Sequence, residues 1–434
     1  MVQSRAERGL TPPVVYDVTR LVTRGLNSAP NGIDRIDFLL ARHFLENGAT
    51  PLACTALGPR LADSGAALAT MDAIESCWRE NADATADAVY RSVVDRIRGR
   101  GDASRIKSGS GVARVLRNGR ALRHWGFRLG RSPGDAPPGS VYLNATQFLL
   151  DRPWYVRWLA SRPDVKPVAF VHDLLPLDHP EFFQPREAAL HPRRNRNICR
   201  LAAGVVVASQ TVARRFEAYA DENGRKDLPI CVARPPVTPV FTQRIDAPEE
   251  LAGVDYFIAC GTIEPRKNHL LLLNVWRELA ANGPAPKLVL VGKRGWLNQN
   301  VVDMLSRCPA LRGNVIEAGA LSTPGLRRLM AGARALLMPS FGEGFGLPVA
   351  EALAAGLPVI ASDLDVFREI AGAAPEYLHP LDGPGWSQAV RDYISQESSR
   401  RAAAMARMEA GEFVTSPQAF LATVESFLTS LRGA

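Results

Sequence analysis

Glu343 and Glu351 stand eight residues apart at the two ends of EGFGLPVAE, directly after the apolar run ALLMPS at 335–340. An apolar run, then glycines, then proline before alanines reads as a strand, a loop and a helix start, with one carboxylate in the loop and one in the helix. Gly344 and Gly346 permit close approach of the backbone to a ligand, and Pro348 suits a first helical turn, where its missing N–H costs nothing. Free N–H groups at such a helix start face an anion. A second candidate lies upstream in YFIACGTIEPRKNHLLLLNVW, from Tyr256 to Trp276. There an apolar run ends at Cys260, Gly261 and Thr262 make a turn, and Arg266 and Lys267 precede an apolar-rich helix. Adjacent cations in that position can hold a diphosphate, Arg by its planar fork and Lys as a point charge. Singly, the first element reads equally as a glycine loop before a wet helix face, and the second as a solvated basic pair. Both on one chain favour a shared ligand site.

His172 ends the strand-like PVAFV and precedes Asp173. A lone histidine there is more often structural, and His179 and His191 have no supporting pattern. Taken together, GTIEPRKN, EGFGLPVAEALAAGLPVIASD at 343–363 and FVHDLLPLDHPEFF at 170–183 resemble the retaining glycosyltransferases of family 4. The resemblance runs from about residue 140 onward, and its middle motif is the most specific. It implies an α/β chain of GT-B architecture, two facing Rossmann-like domains with a cleft between them. One position departs: many relatives carry Arg directly after the glycine of the first motif, whereas Thr262 stands here and the Arg is at 266.

The resemblance places Glu343 against the hydroxyls of a donor sugar and His172 across the cleft, contacting the sugar and the transition state. Glu351 suits the ribose, because a carboxylate accepts two hydrogen bonds from a vicinal diol. Gly261, Thr262, Arg266 and Lys267 are expected at the diphosphate, and the amides of Phe345, Gly346 and Leu347 at sugar or phosphate. Gly32 through Arg35, in a GIDR sequence related to one found in family members, are expected to line the cleft. Preorganised positive groups of this kind stabilise a leaving diphosphate, so the transfer is expected to need no metal or other cofactor. Asp363-Leu364-Asp365 resembles the metal-holding triplet of another transferase architecture, but after PVIAS it reads as a loop or helix cap. Paired carboxylates alone could also serve hydrolysis, a reading that leaves the Arg-Lys pair without a role. Retention of configuration and a front-face mechanism, in which a donor phosphate oxygen takes the acceptor proton, follow from the resemblance alone.

The elements that must position these residues follow an alternating pattern. The chain has 434 residues, 46% hydrophobic and 22% charged, enough for two substantial cores. VVYDVTRLV at 14–22 reads as a strand, followed by the loop containing Gly32 and the helix IDFLLARHFLENG. Strand-like runs at 140–144, 167–171, 204–208 and 229–233 alternate with helical stretches, and PPVTPVF at 235–241 reads as a hinge. A second alternation follows at 256, 287, 315, 335 and 358, the pattern of a parallel sheet with helices on both faces. Ligands bind such sheets at the carboxyl ends of the strands, where GTIEPRKN and EGFGLP both fall. The expected division is an acceptor-binding domain over 1–237, a nucleotide-sugar domain over 238–395, and helices over 396–434 returning to the first.

The net charge of +8 is uneven: from Arg91 to Arg131 there are twelve Lys or Arg against Asp95 and Asp102. VARVLRNGRALRHWGFRL at 112–129 interleaves Val, Leu and Trp125 with Arg, as in a basic amphipathic helix on an anionic membrane surface, or in a solvated insert. No reading motif accompanies this charge, so nucleic acid is not an expected partner. The six cysteines (Cys54, Cys77, Cys199, Cys231, Cys260 and Cys308) lack metal or disulfide spacing and read as reduced thiols. No apolar run is long enough to span a bilayer, and the start MVQSRAERGL lacks a signal-peptide core. The chain therefore reads as a cytoplasmic hexosyltransferase, with membrane attachment at the inner face through the basic segment. Its expected partners are a nucleotide sugar, mannose favoured, and a glycan or lipid-linked acceptor. A nucleotide-sugar epimerase of the same architecture and a non-catalytic nucleotide-binding subunit are the alternatives.

Overall fold

The computed structural model describes residues 12–24, 30–55, 58–79, 84–100, 130–395, 397–409, 411 and 413–431. Val14, Val15 and Tyr16 begin strand β1 (Val14–Asp17), all of it buried. The strand expected over 14–22 stops at Asp17, because Asp17 Oδ1 accepts the N–H of Thr19 at 3.0 Å and turns the chain into the helix Thr19–Arg24. An Asp that bonds the backbone two residues on is an ordinary turn device.

Six further strands join β1: β2 (Thr50–Thr55), β3 (Gly58–Leu61), β4 (Val141–Asn144), β5 (Lys166–Val171), β6 (Gly204–Val207) and β7 (Ile230–Val232), in the order β3-β2-β1-β4-β5-β6-β7. All pairings are parallel except β2 with β3. The second sheet holds β8 (Tyr256–Cys260), β9 (Lys287–Val291), β10 (Val315–Ala318), β11 (Leu336–Met338), β12 (Val359–Ser362) and β13 (Glu376–Leu378), all parallel, in the order β10-β9-β8-β11-β12-β13. Strands β8 and β11, at the centre of the second sheet, are apolar along their whole length because helices cover both faces. Both sheets turn their carboxyl edges, which carry His172, Gly261 and the loop after Met338, toward one another.

Two helices sit where the sequence order does not put them. The helix Ala88–Ile97 lies between β3 and β4 in the chain, yet Tyr90, Val93, Val94 and Ile97 are buried in the core of the second sheet with Ile258, Ile316 and Leu321. Asp87, its N-cap, accepts the N–H of Val89 and also that of Ser322 in the second domain. Residues 88–97 thus belong to the second core, which corrects both the division at 237 and the start of the basic insert at 91. Residues 101–129 of that insert, including Trp125, lie outside the described residues. The second correction concerns the end of the chain. The helix Ser399–Glu409 stays with the second sheet through Ala404 and Met408, and the helix Pro417–Ser430 alone returns to the first core, through Phe420, Val424 and Leu428.

Candidate active site

The loop after β8 and the loop after β11 are built as one unit. Gly261 takes φ 142°, and a Cβ there would lie 2.9 Å from Lys267 Cε, so glycine lets the lysine side chain cross the strand end. A single 3-10 turn, Pro265–Lys267, follows, and Asn268 at φ 53° starts the helix His269–Ala281. The Asn268 amide donates to Pro339 O (3.1 Å) and Pro380 O (2.8 Å), while the Phe341 N–H donates to Arg266 O (2.8 Å). Two of these hydrogen bonds fix the cations against the glutamate loop, and the third ties Asn268 to the segment after β13.

Glu343 is the centre of that unit. Its Oε1 accepts Lys267 Nζ at 2.5 Å and Ser340 Oγ at 2.8 Å, and its Oε2 accepts Arg266 Nη1 at 2.7 Å. Arg266 Nη1 also donates to Gly342 O (2.7 Å), and Nε and Nη2 donate to Glu264 Oε1 at 3.1 and 2.7 Å. The guanidinium fork expected at the diphosphate is thus clasped between two carboxylates, and one of its five N–H groups has no acceptor among the described residues. Lys267, engaged through one bond to Glu343, retains two. Burial raises the Glu343 carboxyl, but the charges of Arg266 and Lys267 outweigh it and bring it down to about 2. Burial raises Glu264, opposed by Arg266. Glu264 stands inside GTIEPRKN, two residues before the arginine it holds, and its role as partner was not anticipated.

Glu351 lies on the helix Leu347–Ala354, which begins at Gly346 with φ 96°. Its carboxylate is buried and accepts Arg35 Nη1 at 2.6 Å; Arg35 Nη2 donates to Thr323 Oγ1 at 3.1 Å. Burial raises the Glu351 carboxyl and Arg35 counteracts it. The helix Gly32–Glu46 carrying Arg35 starts against the same element, since a Cβ on Gly32 would lie 2.7 Å from Leu347 Cδ1. Leu347 packs into the first core and Phe345 against both cores. Thr262 offers its methyl group to the backbone at Gly295, where a Cβ would meet it at 2.5 Å.

His172 follows β5. Its Nε2 is 2.8 Å from Ala145 O, and a carbonyl only accepts, so Nε2 carries the proton and Nδ1 the lone pair. The ring stacks on Phe170 with centroids 4.6 Å apart. Burial depresses its pKa to about 4, leaving the ring neutral near pH 7. A Cβ on Gly344 would lie 2.3 Å from His172 O, which places the glutamate loop of the second domain directly on the HD turn of the first. Two more contacts across the cleft carried no sequence signal. Ser209 Oγ donates to Gly344 O (3.2 Å), and Glu369 accepts Gln210 N, Thr211 N and Thr211 Oγ1 (2.7, 2.8 and 2.8 Å) at the start of the helix Gln210–Glu222. Asp363 is paired with Arg368, and Asp365 opens the helix Asp365–Ala371. Among the described residues, no helix is long and apolar enough to cross a membrane.

The geometry brings Gly261, Lys267, Arg266 and Glu343 into one cluster, Glu351 to Arg35 and Gly32 to Leu347, all between the carboxyl edges of the sheets. Residues 254–396 match the family described as Glycosyl transferases group 1. A serotype-specific mannosyltransferase of Escherichia coli, WbdA, is 32% identical over 238 residues, covering 52% of this chain and 29% of that protein. O-antigen chain mannosyltransferase B of Escherichia coli is 33% identical over 155 residues, 36% of this chain and 40% of that one. The chain thus spans well under half the length of these curated relatives. In fold it is similar to HepE of Anabaena, solved in complex with UDP and glucose, with a TM-score of 0.62 at 14% identity over 96% of this chain and 100% of that one. Residues 254–396 are accordingly similar to the glycosyl transferases group 1 family, within a chain of GT-B architecture.

Proposed function

We propose that the protein is a retaining hexosyltransferase that moves mannose, or a related hexose, from a nucleoside diphosphate sugar to a lipid-linked or polysaccharide acceptor in cell-surface glycan synthesis. The observation that carries this reading is the Glu343–Lys267–Arg266 cluster, set on the second sheet's carboxyl edge and pressed against His172 of the first. The mannosyltransferases similar to residues of this chain support the choice of sugar.

In this reading the donor diphosphate takes the two remaining N–H bonds of Lys267 and the amides at the start of the helix Leu347–Ala354. Arg266, locked between Glu264 and Glu343, holds the glutamate in place and contributes charge. Glu343 receives sugar hydroxyls and Glu351 the ribose diol. The acceptor hydroxyl attacks the anomeric carbon on the face the diphosphate leaves; the carbon–oxygen bond to phosphate breaks, and the acceptor proton ends on the departing phosphate oxygen. His172, neutral and fixed through Nε2, positions the sugar and the transition state from across the cleft. No bound metal has a part in these steps.

A calorimetric panel of UDP, GDP, ADP and dTDP and their sugars, without and then with magnesium, tests the donor site; silence across it removes the transferase reading. The anomeric configuration of the product tests the stereochemistry, and an inverted centre overturns the mechanism. The chain is further read as cytoplasmic and peripheral at the inner face of the membrane through its basic segment. Reversing charges between Arg114 and Arg128 should then release it from anionic vesicles, most clearly at low salt.

A further inference from the structure

A groove of about 490 Å³ opens on the first domain away from the donor loops, lined among others by Thr55, Arg60, Pro133, Trp154, Arg157 and Trp158. It lies on the edge of the sheet that faces the cleft. β2 runs parallel to β1 and passes beyond it, Leu52 standing beside Asp17, so Thr55 projects past the carboxyl ends. The short helix Pro153–Val156 crosses the same edge, held there by Tyr155, whose hydroxyl is 2.9 Å from Asp17 Oδ2 and 2.8 Å from Thr19 Oγ1.

Three features distinguish the groove from ordinary surface. Trp154 is 43% exposed although large aromatic rings are generally covered. Trp158, one helical turn on, is 8% exposed, and its indole N–H is buried without an acceptor among the described residues, as is Nε of Arg60. Buried donors without partners are uncommon in native proteins. Finally, neither Arg60 nor Arg157 forms an ion pair among the described residues, whereas the neighbouring Arg162 and Arg152 do.

An indole presents a flat apolar face that can carry a sugar ring, with an N–H at its edge. A guanidinium presents a fork matched to phosphate oxygens. We propose that this groove is the acceptor subsite for a glycosyl phosphate, the sugar ring lying on Trp154 and the phosphate between Arg60 and Arg157. The inference rests on the transferase reading above and adds the chemical class of the acceptor.

The test uses the full chain and calorimetric titration with mannose 1-phosphate, its decyl ester, methyl mannoside and inorganic phosphate. Trp154→Ala and Arg157→Gln, both at exposed positions, should each weaken mannose 1-phosphate by about tenfold while the affinity for the nucleoside diphosphate stays at the parent value. Tighter binding of the decyl ester assigns the ligand to a lipid-linked source, and equal binding to a free one. Parent-like affinity for the glycosyl phosphate in both variants overturns the proposal, as does inorganic phosphate binding as tightly as the sugar phosphate. A parent protein that takes the glycosyl phosphate but no nucleotide would sink the transferase reading and leave the groove standing as a glycosyl-phosphate site.

Discussion

Glu343, Glu264, Arg266 and Lys267 carry two negative and two positive charges within one set of hydrogen bonds, so the cluster is neutral before any donor arrives. A diphosphate is then attracted chiefly by Lys267, whose ammonium has N–H groups to spare. Lys267→Ala should weaken the nucleoside diphosphate and slow transfer by about 2 kcal/mol or more, the loss of a desolvated charge-assisted bond; unchanged kinetics would remove Lys267 from the site. A pH effect arises at Asp37, which is fully buried with Oδ1 on the Tyr16 hydroxyl at 2.8 Å and Oδ2 without a partner among the described residues. Burial pushes its carboxyl up to about 8. The folded state therefore holds a proton that the unfolded chain releases near its ordinary value of about 4, and stability from this group falls as pH rises between the two. Asp37→Asn should flatten that part of the melting-temperature profile and melt above the parent at pH 8 to 9. The residue types of the donor site were legible in GTIEPRKN and EGFGLPVAE because glycines, cations and carboxylates carry chemistry in their identity. Which carboxylate each cation holds was not, because Arg35 meets Glu351 only when two distant helices are brought together.

At the scale of elements, alternation of apolar runs with helical stretches identified most of the parallel strands of both sheets, since a strand covered on both faces reads as a continuous apolar run. The same patterns are silent about which sheet a helix covers. Tyr90, Val93, Val94 and Ile97 mark an apolar stripe on Ala88–Ile97, but a stripe needs only some apolar surface to meet, and it meets the second sheet. Ile97→Ala should cost about 2–5 kcal/mol by leaving a cavity there, measured as a lower urea midpoint for unfolding of the second domain. A loss of only a few tenths would mean that the helix is not docked in that core. Tyr90 adds a polar anchor, its hydroxyl 2.7 Å from Glu250 Oε1 and 3.1 Å from Arg328 Nε. The chain is thus stitched in both directions, by this helix from the first half and by Pro417–Ser430 from the end.

Across the whole molecule, the two sheets meet through contacts that belong to the site itself. Gly344 rests on the backbone of His172, Gly32 on Leu347, and Arg35 on Glu351, while Glu369 supplies the carboxylate at the positive end of the helix Gln210–Glu222. Trp296 Nε1 donates to Phe182 O at 2.9 Å, and Phe182 stacks on Phe341 with centroids 5.4 Å apart. The described structure is therefore closed, and closure lays the loop that carries Glu343 on the turn at His172. A side chain at Gly344 tests whether transfer needs that approach. The Cβ of Gly344→Ala would fall 2.3 Å from His172 O, a backbone atom that cannot swing aside. The domains must then separate, although the contacts among Lys267, Arg266 and Glu343 lie wholly within the second domain and survive. Nucleoside diphosphate binding should stay near the parent value while turnover falls by about two orders of magnitude, the cost of misplacing reacting groups by an ångström or so. Small-angle scattering should show a larger radius of gyration for the variant; parent-like scattering together with parent-like turnover would show that transfer does not require the closed contact.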